Sequence, residues 1–351
     1  MAERGQVQIG SRMVGSGERV FVIAEAGVNH NGDPELARQL ARTAAEAGAD
    51  AVKFQTFDAE RVASEDSPKA AYQLETTDPG ESQRQMLRSL QLPEAEYEPL
   101  AHFCRELGIV FLSTPFDELS VDLLEPLVPA FKLGSGEMTN LPLLRHVAGK
   151  GKPVILSTGM SDLGEVRAAV AAVRRAGDPP LVLLHCVSSY PAPAKAANLR
   201  AIMTMAQDTG LPIGYSDHTK GLEASLAAVA LGACAIEKHF TLDRSMEGPD
   251  HDASLEPAEL IRLIAGIREV EAALGDGQKV PQDVELPNRN IVRRSLTAAR
   301  PIATGEEITA GHLISLRPAG GISPMELDRV IGRVAARDIS AGERITEADL
   351  R

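Results

Sequence analysis

The chain has 351 residues, a length that suits one large domain or two ordinary ones. Apolar residues make up 44% and charged residues 24%, as in an ordinary soluble globular protein, which excludes a disordered or collagen-like chain. The formal net charge of −13 argues against a general nucleic-acid-binding protein, which needs a basic surface, but it leaves room for a local cationic site that binds a small anion.

The N-terminal residues and the cysteines predict a cellular compartment. The first twenty residues contain no apolar segment of the kind that a signal peptide requires, and no run approaches the roughly 18 apolar residues of a membrane span. The three cysteines, Cys104, Cys186 and Cys234, are too few and odd in number for a disulfide framework. We therefore expect a cytoplasmic protein with neither nucleic-acid nor membrane partners.

Short apolar runs recur along the first 240 residues and predict buried strands. They lack strict polar–apolar alternation, which is typical of strands covered on both faces in a parallel sheet. The eight runs are Val20–Glu25, Ala51–Gln55, Val110–Thr114, Phe131–Ser135, Pro153–Thr158, Leu181–Cys186, Pro212–Ser216 and Ala235–Phe240.

Segments with the start and stop signals of helices lie between and after these runs. Several begin with Pro or Asp and end at Gly. They are Pro34–Ala47, Pro93–Leu107, Leu141–Gly149, Asp162–Ala176, Ala194–Gly210, Leu222–Leu231 and Pro257–Leu274. Eight strands with intervening helices favour a (β/α)₈ TIM barrel over an open doubly wound sheet, and the first strand is not followed by the GxGxxG of a dinucleotide fold.

Two segments depart from the strand–helix alternation. Phe57–Gln91 is a long polar connection, which predicts a functional lid or excursion. Gly275–Asn290 is polar and contains two prolines, which predicts a linker after a barrel domain of residues 1–274. Beyond the linker, Ala298–Leu313 (AARPIATGEEITAGHL) is repeated as Ala335–Leu350 (AARDISAGERITEADL), which predicts a small pseudo-symmetric β-rich domain over residues 291–351.

Nearly every predicted barrel strand ends in polar or charged residues. Active sites of (β/α)₈ enzymes lie at these carboxyl ends, and unpartnered polar groups would be costly to bury there. A minority of them, such as Ser113, Thr158 and His185, are also compatible with internal polar layers of the barrel. The set comprises Glu25, Lys53, Gln55, Ser113, Thr114, Lys132, Ser135, Glu137, Ser157, Thr158, His185, Ser188, Ser216, His218, Glu237, Lys238 and His239.

The strand ends suggest two kinds of binding site. His218 and His239 close consecutive strands, so they predict a shared divalent cation such as Mn²⁺ or Co²⁺, although one catalytic and one structural histidine would give the same pattern. Lys53 and Lys132, with the Gly-flanked Ser135 and further strand-end serines, predict an anion site suited to a phosphate.

These residues lie in motifs that cover the chain from one end to the other. The motifs are AEAGVNHNGD (24–33), AGADAVKFQTF (47–57), FLSTPFD (111–117), KLGSGEMTNLPLL (132–144), ILSTGM (155–160), LLHCVSSYPAP (183–193), GYSDHTKG (214–221), ALGACAIEKHFTLDRSMEGPDHDASLEP (230–257) and RPAGGISP (317–324). In them the chain resembles the bacterial sialic (nonulosonic) acid synthases. The resemblance implies a barrel followed by an antifreeze-like (SAF) domain, in a homodimer in which each small domain caps the other subunit's barrel.

The resemblance also implies a reaction, in which phosphoenolpyruvate condenses with the open-chain aldehyde of a 2-acetamido mannose-type sugar and phosphate is released. It assigns the groups that bind phosphoenolpyruvate as Lys53, Lys132, Ser135, Ser157, Ser188 and Ser216. His218 and His239 would hold the metal, with Mn²⁺ expected and Co²⁺ or Mg²⁺ as alternatives. The implied sugar contacts are Gln55, Tyr190, Asp250, Glu137 and, from the small domain, Arg317.

Proton transfer is implied for carboxylates, with Glu25, Glu237 and Glu137 as the catalytic candidates. Many N-acetylneuraminate synthases have Asn at the position of Ser188, and parts of the sequence resemble the legionaminic acid branch. The acceptor is therefore either N-acetylmannosamine or 2,4-diacetamido-2,4,6-trideoxymannose, and the product N-acetylneuraminate or N,N'-diacetyllegionaminate.

Other readings remain open. They are a pseudaminic acid synthase or another enzyme that condenses phosphoenolpyruvate with a sugar, a metal-dependent aldolase that uses free pyruvate, and a catalytically dead barrel with a glycan- or ice-binding domain. The dead barrel is disfavoured because it would not need intact polar strand ends.

Overall fold

The computed structural model describes residues 5–78 and 80–351. The chain divides into two compact units, one up to Gly275 and the other from Asp276. Within the described residues, no helix combines the length and the apolar character that a membrane crossing requires.

In the described part of the first unit, a hairpin precedes eight parallel strands. The hairpin strands are β1 (Gln6–Ile9) and β2 (Arg12–Gly15), and the parallel strands are β3 (Phe21–Gly27), β4 (Ala51–Thr56), β5 (Val110–Pro115), β6 (Phe131–Leu133), β7 (Val154–Ser157), β8 (Leu181–Cys186), β9 (Ile213–Asp217) and β10 (Ala235–His239). The sheet order β5-β4-β3-β10-β9-β8-β7-β6 pairs the first parallel strand with the last. Because β5 and β6, at the two ends of that order, also contact each other, the sheet is a nearly closed barrel, and the predicted TIM-barrel class is confirmed.

Helices connect the strands. They are α1 (Pro34–Glu46), α2 (Ala59–Val62), α3 (Ala71–Thr76), α4 (Gln83–Leu90), α5 (Tyr97–Glu106), α6 (Glu118–Leu124), α7 (Leu141–Gly149), α8 (Leu163–Ala176), α9 (Ala201–Thr209), α10 (Glu223–Ala230) and α11 (Pro257–Leu274). Their ends follow ordinary capping chemistry: Asp162 and Glu165 form a capping box at the start of α8, for example. Their apolar faces pack on the outside of the barrel in one continuous core.

The hairpin β1–β2 closes the amino-terminal end of the barrel, which we call the floor. Val7, Ile9 and Val14 are buried in a cluster with inward-facing strand residues such as Phe21 and Leu184. Sequence analysis did not predict this hairpin, although its apolar positions alternate on either side of a Gly10–Ser11 turn.

Three predicted elements differ in extent from the structure. The helix predicted over Ala194–Gly210 is split into a 3₁₀ turn, Ala194–Ala196, and α9, since Asn198 adopts φ 43° between them and cannot continue a right-handed helix. The strand predicted over Phe131–Ser135 ends at Leu133, and Ser135 instead opens a 3₁₀ helix that ends at Thr139. Part of the predicted linker is helical, because α12 spans Leu286–Val292.

The second unit is built around the internal repeat. It contains α12, β11 (Ser295–Ala298), β12 (Leu313–Leu316) and α13 (Leu327–Val330), and β11 pairs antiparallel with β12. Ile302 and Ile339 occupy equivalent positions in the two copies and exchange a pair of 2.9 Å backbone hydrogen bonds. The repeat thus forms two halves that meet along a pseudo-twofold axis, around a small core of their own.

Candidate active site

A cavity of about 410 Å³ opens at the carboxyl ends of the barrel strands, which we call the mouth. Its size lies within the ordinary range of small-molecule sites. Thirteen of the fifteen residues that the sequence predicts for the site line it, namely Glu25, Lys53, Gln55, Lys132, Ser135, Ser157, Ser188, Tyr190, Ser216, His218, Glu237, His239 and Asp250.

Two lysines and two carboxylates form a buried cluster at the base of the cavity. Lys53 Nζ lies 2.8 Å from Glu25 Oε2 and 3.9 Å from Glu237 Oε2, and it donates to Thr114 Oγ1 at 3.0 Å. Lys132 Nζ lies 3.5 Å from Glu237 Oε1. The four charged side chains are each at most 6% exposed, so water screens their mutual interactions only weakly.

Hydroxyl groups surround this cluster. Lys132 Nζ donates to Ser157 Oγ at 2.7 Å, and Ser216 Oγ donates to Glu237 Oε1 at 2.9 Å. Because a hydroxyl can reorient, Ser157 and Ser216 are able to donate to a bound anion, while the ammonium groups supply its counter-charge.

The pKa values of the two carboxylates are shifted in opposite directions. Burial, together with the nearby charge of Glu237, raises the pKa of Glu25 to about 7 against the opposing effect of Lys53. Burial also raises the pKa of Glu237, but Lys132 and Lys53 outweigh it and bring that pKa down to about 2. Near neutral pH, Glu25 is therefore able to hold a proton while Glu237 stays ionised, which is the pattern of an acid beside a fixed negative charge.

Ser135 and Ser188 converge on the backbone of Gly159, at the side of the cavity nearest β7. A Cβ on Gly159 would lie 2.3 Å from Ser188 Oγ and 2.7 Å from Ser135 Oγ, so only glycine leaves both hydroxyls in place. Gly159 N donates to Ser135 Oγ at 2.9 Å. The resulting cradle of hydroxyls faces the same cavity as the ammonium group of Lys132.

His218 and His239 lie next to each other, with ring centroids 5.5 Å apart. His218 Nδ1 is 2.8 Å from the carbonyl oxygen of Val187, which can only accept, so Nδ1 carries a proton and Nε2 holds the lone pair when the ring is neutral. Burial lowers the pKa of His218, but Cys186 and the Val187 carbonyl outweigh it and raise that pKa. His239 Nδ1 is buried and has no hydrogen-bond partner among the described residues, and burial holds the pKa of His239 well below its ordinary value. In its neutral form each ring can present a nitrogen lone pair to a cation.

Polar groups extend the site beyond the histidines. The ring of Tyr190 lies 4.1 Å from that of His218, and Asp250 Oδ2 lies 3.9 Å from His239 Nδ1. Burial raises the pKa of Asp250 to about 6, against the opposing charges of His218 and Lys53. A Cβ built on Gly27 would lie 3.5 Å from Gln55 Nε2 and 3.3 Å from Glu25 Oε1, so Gln55 and Glu25 both lie beside this glycine. These groups are suited to the hydroxyls of a polyol-like substrate.

The excursion Phe57–Gln91 forms the outer wall of the cavity. Its side chains that line the cavity are Val62, Gln73, Gln83, Met86, Leu87 and Leu90. Sequence analysis predicted a lid in this segment but none of these residues. The capping box of Ser82 and Gln85 could have predicted the start of α4 from the sequence. Which side of α4 faces the cavity depends on the packing of Met86 and Leu90 against Val28 and Phe57, which the sequence does not show.

Two predicted site residues lie elsewhere. Glu137 is outside the cavity lining, half-buried in the 3₁₀ helix after β6, and accepts a 2.6 Å hydrogen bond from Asn140 Nδ2. Arg317 belongs to the second unit, where it is exposed on the loop after β12. His185, which the sequence left open, bonds the carbonyl of Ala197 and does not line the mouth.

Comparisons with known proteins agree over most of the chain. The sequence model of the NeuB family matches residues 40–279, and that of the SAF domain matches residues 293–351. The chain is 48% identical over 333 residues to the N,N'-diacetyllegionaminic acid synthase of Legionella pneumophila, covering 93% of this chain and 94% of that protein. It is also 48% identical over 333 residues to the Campylobacter jejuni protein of the same name, covering 94% of this chain and all of that protein.

A solved structure shows the same likeness. The N-acetylneuraminic acid synthetase of Leptospira borgpetersenii, crystallised with citrate, superposes with a TM-score of 0.72 at 36% identity, covering 82% of this chain and 96% of that chain. The fold likeness and the sequence likeness therefore point to the same set of proteins.

Proposed function

The chain belongs to the NeuB family and carries a SAF domain, and from this premise we propose that it is a nonulosonic acid synthase. It condenses phosphoenolpyruvate with an open-chain 2-acetamido mannose-type sugar and releases phosphate. The observation that carries the proposal is the joint placement of two lysines, a serine cradle, two carboxylates with pKa values shifted in opposite directions and two adjacent histidines around one cavity.

The anion site accounts for phosphoenolpyruvate. Lys132, Ser157 and the Ser135–Ser188 cradle bind its phosphate, with Ser216 as a further donor. Lys53, which is held between Glu25 and Glu237, faces the carboxylate end of the same substrate. Charge-assisted hydrogen bonds of this kind fix the enol with its C3 directed to the open part of the cavity.

The residues present also fit a divalent cation. The orphaned Nδ1 of His239 and the free Nε2 of His218 are the two ligands that the protein supplies, since the described residues contain no group of three or more His, Cys, Asp or Glu that could hold a metal. Substrate oxygen and water would have to complete the shell of such a cation, so the metal would be exchangeable, with Mn²⁺ first and Co²⁺ or Mg²⁺ as alternatives. When bound, it polarises the sugar aldehyde as a Lewis acid.

The carboxylates then have separate tasks. C3 of phosphoenolpyruvate attacks the aldehyde carbon, and the protonated form of Glu25, whose pKa is about 7, gives its proton to the new hydroxyl oxygen. Glu237 stays ionised and stabilises positive charge at C2, where water adds. The tetrahedral intermediate loses phosphate, so one phosphoenolpyruvate, one sugar and one water give one nonulosonate and one phosphate.

The sugar end of the site favours the legionaminic acid branch. Gln55, Tyr190 and Asp250 offer hydrogen bonds to the acceptor, and Arg317 of the partner subunit completes its acetamido pocket in a domain-swapped homodimer. The apolar outer wall of Met86, Leu87 and Leu90 suits a 6-deoxy sugar better than a fully hydroxylated one. Since its three cysteines are free thiols, we place the enzyme in the reducing cytoplasm.

Phosphate release on mixing phosphoenolpyruvate, Mn²⁺ and one acceptor at a time tests this function. We expect turnover with 2,4-diacetamido-2,4,6-trideoxymannose, and a lower kcat/KM with N-acetylmannosamine. Preference for the stereoisomer that leads to pseudaminic acid would overturn the acceptor assignment. Turnover with pyruvate and no phosphate release would indicate an aldolase, and no reaction with any acceptor would indicate a binding module.

A further inference from the structure

A buried ion pair lies directly behind the two histidines. Asp217 and Lys238 occupy paired positions on β9 and β10, and Lys238 Nζ lies 2.9 Å from Asp217 Oδ2. Both side chains are at most 1% exposed, and neither lines the cavity. Each immediately precedes one of the histidines, so strand alternation puts the pair on the outer face of the barrel wall and both imidazoles on the inner face.

The pair is fully satisfied, and its partners surround His218. Asp217 Oδ1 accepts from the backbone N–H and the hydroxyl of Thr219, each at 2.8 Å. Asp217 Oδ2 accepts from Ser225 Oγ at 2.6 Å as well as from Lys238. Lys238 also donates to the carbonyl of Thr219. The chain is thus held on both sides of His218, and β9, β10 and α10 are tied at one point.

Stability alone is a poor explanation for this arrangement. Replacing a buried ion pair by apolar residues of similar size is often neutral or stabilising, because the charges lose their hydration on burial. A pair of this kind does fix geometry, since it allows one arrangement of its neighbours. Its neighbours here are the two histidines proposed to share a cation, whose ring centroids lie 5.5 Å apart.

We propose that Asp217 and Lys238 form a positioning clamp, which sets the separation of His218 and His239 and thereby the affinity for a divalent cation. This inference rests on the proposed metal site and adds two residues to it that touch neither metal nor substrate. Partners that orient metal ligands from behind typically contribute about 10- to 100-fold to metal affinity.

The test is a Mn²⁺ titration of the full-length, substrate-free protein, with free Mn²⁺ counted by electron paramagnetic resonance. We expect Lys238→Met and Asp217→Asn to bind Mn²⁺ about 10- to 100-fold more weakly than the wild type. The Mn²⁺ concentration for half-maximal turnover should rise by the same factor, while kcat at saturating Mn²⁺ changes far less. Unchanged Mn²⁺ affinity in folded Lys238→Met protein would overturn the clamp.

A matched control exists at the floor. Asp50 and Arg268 form another largely buried ion pair, at 3.2 Å, which joins the start of β4 to α11. Arg268→Met should lower the melting temperature of the metal-free protein as Lys238→Met does, yet leave Mn²⁺ affinity unchanged. An equal loss of Mn²⁺ affinity in both variants would mean that general destabilisation, and not the clamp, controls the site.

Two further sets of variants distinguish failure of the clamp from misfolding and from failure of the metal site. If the Asp217 and Lys238 variants do not fold, Thr219→Val and Ser225→Ala remove single hydrogen bonds from the clamp and should each weaken Mn²⁺ binding by about tenfold. Wild-type affinity in both would overturn the inference. His239→Ala tests the metal site itself: if it binds Mn²⁺ as well as the wild type, the proposed site fails and the clamp with it. If only His239→Ala loses binding, the metal site stands and the clamp fails.

Discussion

The mouth and the floor of the barrel differ in how deeply their charged side chains are buried. At the mouth, Glu25, Lys53, Lys132 and Glu237 are at most 6% exposed and share their interactions within one cluster. At the floor, Asp50 pairs with Arg12 and Arg268 at the edge of an apolar plug, where the arginines keep 31% and 19% of their surface.

This difference has a physical meaning. The ion pairs of the floor keep more of their hydration than those of the mouth, and the plug beside them buries apolar surface, so the floor contributes to stability. The charges of the mouth lose far more hydration. Among the described residues, Glu237 Oε2 and His239 Nδ1 have no hydrogen-bond partner at the mouth, and Arg268 Nε has none at the floor. A protein tolerates such an arrangement where a ligand supplies the missing interactions, so the mouth is where function is expected.

The largest expected effect is on Glu237. Glu237→Gln removes the ionised carboxylate that faces both lysines, and we expect the lost charge stabilisation to lower kcat by about 10²- to 10³-fold. Glu271→Gln, in a carboxylate that pairs with Arg268 at the floor, is the matched control and should leave kcat unchanged. Similar losses of kcat in both variants would contradict the assignment of the catalytic carboxylate to the mouth.

The second prediction concerns the floor, where a substitution should lower stability without changing the kinetic constants. Ile9 is fully buried in the plug, so Ile9→Ala should lower the free energy of unfolding by about 2–5 kcal/mol through lost burial and an unfilled cavity. Chemical denaturation measures this loss, and kcat and both KM values measured below the transition should stay at their wild-type levels. A changed KM for phosphoenolpyruvate would show that the floor shapes the site.

The third effect separates the substrates within the mouth. Lys132→Ala removes an ammonium group from the anion site, and a lost charge-assisted contact of about 1.5–3 kcal/mol corresponds to roughly a 10- to 100-fold higher KM for phosphoenolpyruvate. The KM for the sugar should change far less, as measured by varying each substrate at saturation of the other. Equal weakening toward both substrates would contradict the division of the cavity.

The fourth effect is a pH dependence that originates in Glu25. With a pKa of about 7, Glu25 is protonated below that pH and ionised above it, so a step that needs its proton slows as pH rises. We expect kcat to fall about tenfold per pH unit on the alkaline side of about 7, and Glu25→Gln to lack this dependence. A kcat that instead falls on the acidic side would mean that Glu25 acts as a base.

The sequence predicted the mouth better than the floor. Strand ends such as Lys53 and Lys132 were recognisable because charge directly after an apolar run is unusual, and parallel strands bring such positions together. The hairpin of the floor was missed because four-residue strands give a weak periodic signal. Glu137 was misplaced relative to the cavity because β6 ends at Leu133 and a 3₁₀ helix redirects the chain. The wall from Met86 to Leu90 depends on tertiary packing that local patterns do not contain.

The smallest expected change is a partial recovery of activity, which tests whether the mouth, unlike the floor, is completed by a second chain. In the proposed swapped dimer, Arg317 of the partner subunit reaches the sugar, so Arg317→Ala and His239→Ala should each be inactive alone. The loop after Arg317 is well anchored, because Ser295 Oγ donates to the Pro318 carbonyl at 2.9 Å and accepts from Gly321 N at 2.9 Å, which suits a rigid contact.

Mixing the two inactive proteins should then restore activity. A mixed dimer has two sites, of which one combines an intact histidine pair with an intact arginine. Because random exchange makes about half of the dimers mixed, about a quarter of all sites are functional, and recovery should approach about a quarter of the wild-type rate. Subunit exchange is verified with two differently tagged chains, and a mixture of Arg317→Ala with itself is the blank. If exchange is complete and no activity returns, Arg317 serves its own barrel or none, and the mouth, like the floor, is built from a single chain.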